Sequence, residues 1–120
     1  QLNSLVMNQR AIGFWSSEQL DFLLRTMMIK KDKFNDLVTS CQQGSYIEMK
    51  KLAESSLLGF KTNLTEEEVL TLLVLAFLRK NFMKEVGKWK LIGKKSLKWL
   101  SEQNISYAEK MIESFIKFVF

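Results

Sequence analysis

Proline and histidine are absent from this chain of 120 residues, and it holds only five glycines, three arginines and one cysteine. Each shortage excludes something. Proline breaks helix interiors and marks many turns, so a chain without it is free to be mostly helix. Without histidine there is no ordinary general base, no commonest transition-metal ligand and no ordinary pH switch. A single cysteine permits neither an internal disulfide nor a multi-cysteine zinc site, and it suits a reducing, cytoplasmic compartment. These absences weigh against an enzyme, and no metal or cofactor is expected. Long apolar runs are lacking too. The longest, Val69 to Leu78 with only Thr71 interrupting, has ten residues, half of the about 20 that a membrane span needs. It reads as a buried core helix.

What is present is ordinary for a globular protein: 47% hydrophobic and 26% charged residues, with a net charge of +5. The length suits one domain, 1–120, able to bury a core without covalent staples. The chain begins at Gln1 and stops inside the apolar run from Phe115 to Phe120. It reads as the C-terminal part of a longer polypeptide or, alternatively, as a processed small protein.

Helix starts are visible as side chains able to satisfy the free amides of a first turn. Ser/Thr-x-x-Glu capping boxes stand at Ser45 with Glu48, Thr65 with Glu68 and Ser106 with Glu109, and Ser16 with Gln19 is a weaker fourth. The apolar spacing after them predicts helices over Leu5–Ala11, Ser17–Lys30, Asp32–Gln42, Tyr46–Leu57, Glu66–Val86, Lys88–Gln103 and Tyr107 to the end. In the second, Leu20, Leu23, Leu24, Met27 and Met28 are placed inward; in the third, Phe34, Leu37, Val38 and Cys41. The Glu66 helix is apolar nearly all round, as the middle of a bundle is. The fold expected is all-α: a compact bundle of five to seven helices around that central one.

Candidate functional residues are few. Cys41 lies on an apolar stripe with no histidine to activate it, and reads as a buried structural thiol. Glu66, Glu67 and Glu68 fall in a first helical turn, where the helix dipole favours negative charge, and capping explains them without chemistry. The strongest charge signal is basic: Arg79, Lys80, Lys84, Lys88, Lys90, Lys94, Lys95 and Lys98, opposed only by Glu85. At about 100° per residue, Lys90, Lys94 and Lys98 fall opposite the arc of Trp89, Ile92, Gly93, Ser96, Trp99 and Leu100. Such a stripe is either a solvated face or a contact for nucleic acid, anionic lipid or an acidic protein surface. Leu91 is the odd residue among these lysines. Trp15, Trp89 and Trp99 read as core anchors. In the last helix Phe118 and Phe120 fall off the stripe of Ala108, Met111, Ile112, Phe115, Ile116 and Val119. They either dock a partner or fold back onto the first helix. The partner-binding candidates are therefore Phe118, Phe120, Leu91, Lys90, Lys94 and Lys98.

Three segments together carry a resemblance: Gln9-Arg10-Ala11-Ile12-Gly13-Phe14-Trp15, the run Glu67 to Leu78, and Trp89 to Leu100 with its Lys-Ser-Leu-Lys-Trp-Leu. This pattern resembles the C-terminal helical region of proteins with a VIT domain and a von Willebrand A domain, the vault poly(ADP-ribose) polymerases among them. The likeness covers roughly residues 9–103 and departs most between Lys31 and Leu64. It implies a non-enzymatic protein–protein interaction module, lacking the transferase part, that docks onto major vault protein inside the vault, a ribonucleoprotein particle. The reading that stands beside it is a basic helical domain binding nucleic acid or another anionic surface through Arg79–Lys98.

Overall fold

The computed structural model describes residues 2–47, 49–51 and 63–120. Among them are six α-helices: α1 (Leu2–Met7), α2 (Leu20–Met27), α3 (Lys31–Gln42), α4 (Glu66–Asn81), α5 (Val86–Glu102) and α6 (Ala108–Phe118). Two 3-10 turns, Ser17–Gln19 and Met83–Glu85, lead into α2 and α5, and no strand occurs among the described residues. The architecture is the expected all-α bundle. Its radius of gyration, 13.6 Å, is what a compact chain of this length should have. The expected Tyr46–Leu57 helix runs into residues 52–62, which lie outside the described residues; 47 and 49–51 are helical.

The acidic cap of α4 forms as its sequence demands. Thr65 Oγ1 accepts from the Glu68 amide at 3.1 Å, and Glu68 accepts from the Thr65 amide at 2.8 Å. Every residue from Glu68 to Leu78 is buried, because α6 packs along α4 while α2, α3 and α5 cover its remaining faces. This helix stops at Asn81 rather than continuing to Val86. Phe82 leaves helical geometry at φ −128°. Its ring meets Phe77 edge-on, with centroids 5.9 Å apart, and its carbonyl accepts the Trp89 indole N–H at 2.8 Å. That carbonyl therefore fixes the reversal into α5, and Val86 begins the next helix.

Three helix ends share one device. At Met28, Gly44 and Asn104 the backbone turns left-handed, with φ of 59°, 69° and 65°. The following amide then bonds back five residues: Ile29 to Leu24, Ser45 to Ser40, Ile105 to Leu100. This is the Schellman closure, usually made with glycine. Methionine at such a position hid the end of α2, which stops at Met27 and not Lys30. Met28 accordingly points outward, 87% exposed, and not into the core as its helical phase suggested.

The N-terminal segment differs from expectation in a comparable way. Its helix covers Leu2–Met7, not Leu5–Ala11. Beyond it the chain is tied down by polar contacts that are distant in sequence. The Gln9 side-chain amide donates to the Ile92 carbonyl at 3.0 Å and to Ser96 Oγ at 2.6 Å. Ser96 Oγ donates to the Gly13 carbonyl at 2.7 Å. Trp15 is fully buried; its indole N–H donates to the Leu5 carbonyl and its amide to Thr71 Oγ1. Phe14 stacks on Trp99 at 4.9 Å. The Gly13-Phe14-Trp15 segment is thus a lid pinned to both α4 and α5.

Of the other capping boxes, Ser16 accepts from the Glu18 amide at 3.2 Å. The one at Ser106 does not form: α6 begins behind Tyr107, which makes no side-chain cap, and Glu109 turns to Arg79. The Glu48 of the Ser45 box lies outside the described residues.

Candidate functional site

The C-terminal turn separates the two phenylalanines that the sequence paired. After Phe118 the amides of Val119 and Phe120 both bond back to the Phe115 carbonyl, at 2.9 and 3.1 Å. This swings Phe120 inward, edge-on to Phe77 on α4 at 5.7 Å. It folds back onto the central helix. Phe118 stays outside, 60% exposed, with Lys117 Nζ 5.2 Å from its ring centroid.

Phe118 forms one wall of a groove of about 490 Å³. Phe34, Leu37, Val119, Met28 and Ile29 supply its apolar lining, and Lys30 with Lys33, Asp36 and Ser40 of α3 its polar lining. The groove exists because two helices end beside a third. The left-handed Met28 ends α2, α3 begins at Lys31, and Phe118 and Val119 at the end of α6 border the same groove. Met28, placed in the core by helical phase, instead lines this surface, whereas Leu37 and Val119 pack against the core as expected and also border the groove. No local signal in the sequence marks them, because the groove is made by ends meeting.

The second surface is the outer face of α5. Its inner face buries Trp89, Gly93, Ser96, Trp99 and Leu100, as the spacing predicted. Opposite them Lys90, Lys94, Lys95 and Lys98 are exposed, and Leu91 among them is 75% exposed. The eight-residue basic stripe is not uniform. Arg79 is committed to the Glu109 carboxylate through a two-pronged contact of 2.6 and 2.8 Å, which holds that carboxyl below its ordinary range. Lys88 meets Glu85 at 3.3 Å. The other six lysines have no carboxylate partner among the described residues.

The remaining reactive groups are used structurally. Cys41 is fully buried, and desolvation pushes its thiol up to about 12 despite a hydrogen bond from Ser40. A thiol so raised is not a nucleophile at neutral pH. Glu68 is engaged in the α4 cap, and Glu67 accepts from the Ser17 amide at 2.8 Å. Burial also raises the Tyr107 phenol, with Cys41 and Glu68 nearby adding to the effect. No three His, Cys, Asp or Glu side chains come together among the described residues as a metal site would need. No described helix is long and apolar enough to cross a membrane. No family model matches this chain, and neither a curated protein nor a solved structure matches it.

Proposed function

We propose that this domain is a non-enzymatic docking module that anchors a larger VIT and von Willebrand A-domain protein to major vault protein inside the vault particle. One observation supports docking above the others: Phe118 stands 60% exposed on a preformed groove of about 490 Å³ that the exposed Met28 also lines. Protein interfaces draw their energy from a few large side chains that become fully desolvated in such pockets. An aromatic ring left in water is a cost that a partner removes. The choice of partner rests on the likeness of the Gln9–Trp15, Glu67–Leu78 and Trp89–Leu100 segments to the vault-associated family.

The test is calorimetric titration of the chain with purified major vault protein. Binding should weaken by about tenfold or more in Phe118→Ser, the usual loss for an interface anchor, with an unchanged thermal melt. Phe120→Ser should instead lower the melting temperature, because that ring packs on Phe77. Failure of the unaltered chain to bind refutes the vault assignment. Undiminished binding by Phe118→Ser refutes the groove.

A further inference from the structure

We propose that the outer face of α5 binds the surface of anionic phospholipid bilayers, independently of the groove. Lys90, Lys94 and Lys98 stand one helical turn apart in a single row about 12 Å long. Lys95 lies beside that row, and Lys80 and Lys84 precede α5 in the chain. All six are exposed, and none has a carboxylate partner among the described residues. From Val86 to Ser101 the helix carries no acidic residue at all. Clusters of four to eight such charges hold to phosphatidylserine-rich surfaces.

The apolar side chains within this field decide the class of polyanion. Leu91 is 75% exposed between Lys98 and Lys95 in helical phase. Ile12 is 65% exposed and precedes Gly13, whose Cα lies so close to the Lys95 carbonyl that an added Cβ would sit 2.5 Å from its oxygen. On the other flank a depression of about 200 Å³ is bordered by Met83, Val86 and Leu97. The lysines thus rise from between aliphatic groups. This suits a bilayer interface, where long lysine stems lie along apolar surface while the ammonium groups reach phosphate. Single-stranded nucleic acid asks for different chemistry: exposed aromatic platforms for the bases and arginine forks for the phosphates. Here Trp89 and Trp99 are buried, and Arg79 is already held by Glu109.

The experiment is flotation of the chain with phosphatidylcholine vesicles, with and without about 30 mol% phosphatidylserine. Heparin and single-stranded RNA are titrated in parallel. Binding should require phosphatidylserine at about 0.1 M salt and be lost at about 0.5 M, where screening is short-ranged. Changing Lys90, Lys94 and Lys98 together to Ala should lower partitioning about 100-fold, at about fivefold per lysine. Leu91→Asn should lower it about threefold or more while leaving heparin binding unchanged. All these side chains are exposed, so circular dichroism and melts should match the parent chain. Phe118→Ser should bind vesicles normally, which separates this surface from the groove. No binding to phosphatidylserine vesicles at about 0.1 M salt overturns the proposal. Vesicle binding indifferent to Leu91, or RNA binding stronger than vesicle binding, overturns it equally.

Discussion

Replacing Gly13 by alanine should be among the most damaging single-methyl changes this chain can receive. Gly13 sits at φ +111°, a backbone region that side chains rarely enter, and its new Cβ would lie 2.5 Å from the Lys95 carbonyl oxygen and 3.2 Å from Trp99 Cβ. The first obstacle is backbone: α5 cannot yield there without breaking its own helix. Forcing a non-glycine residue into such a conformation costs about 1–3 kcal/mol. Relief requires the lid to lift, and lifting it breaks the 2.7 Å hydrogen bond from Ser96 to the Gly13 carbonyl. That leaves the buried Ser96 hydroxyl proton without its acceptor and strains the Gln9 amide's own contacts to Gly13 and Ser96, at about 1–3 kcal/mol. The expected loss is about 3 kcal/mol or more, a large part of the 5–15 kcal/mol typical of a domain. It corresponds to a drop in melting temperature of roughly 10 °C or more.

The same substitution elsewhere supplies the control. Gly87 lies in the first turn of α5 with nothing within 4 Å of an added Cβ. Gly87→Ala should stabilise by about 0.5–1 kcal/mol through helix propensity alone. Gly93 falls between, since its Cβ would touch the Trp89 ring at 3.3 Å. Urea melts should rank Gly87→Ala the most stable, Gly93→Ala next and Gly13→Ala the least, with similar m-values. A loss below about 1 kcal/mol in Gly13→Ala, less than its backbone cost alone, would refute the account of the lid.

Four further outcomes are expected. Leu73→Ala, at a fully buried position of α4, should cost about 2–5 kcal/mol in urea melts; a loss under about 1 kcal/mol would mean α4 is not the stability centre. Met28→Gly should stabilise by about 0.5–1 kcal/mol by removing left-handed strain at φ 59°, and calorimetric melting checks it. Native Cys41 should resist iodoacetamide at neutral pH and react at the normal rate once urea unfolds the chain. The Arg79–Glu109 contact should make stability pH-dependent in acid. The folded carboxyl binds its proton at lower pH than the unfolded one, so the contribution is complete above the ordinary value of 4.5 and disappears as pH falls through the depressed value. Glu109→Gln should flatten that acid limb in melts recorded against pH.

Much of the fold was legible from local chemistry. The central helix could be read because its cap, Thr65 with Glu68, and its all-round apolar run are both local, and any chain that buries that run must surround it. The face of α5 was legible for the same reason: with Trp89, Ser96 and Trp99 on one arc, the lysines have only the outside. Burial of Cys41 followed from its stripe. What periodicity misjudged were the ends. Met28 forms a left-handed stop without glycine, Phe82 breaks a helix because its carbonyl receives the Trp89 indole, and Ser106 loses its capping partner when Arg79 takes Glu109. Each outcome depends on a group far away in the chain or on a backbone state that residue identity only weakly signals.

The candidate surfaces divide along the same line. By itself the sequence determined an all-helical bundle, its central helix, and a lysine face with Leu91 in it, because helical phase and burial set all three. Only the tertiary structure decided that Phe118 and Phe120 part company, and that Met28, Leu37 and Val119 join Phe118 around a groove. Helical phase tells which side of a helix faces the core. It does not tell where helices end relative to one another, and the groove is formed where the end of α2, the flank of α3 and the last turn of α6 meet.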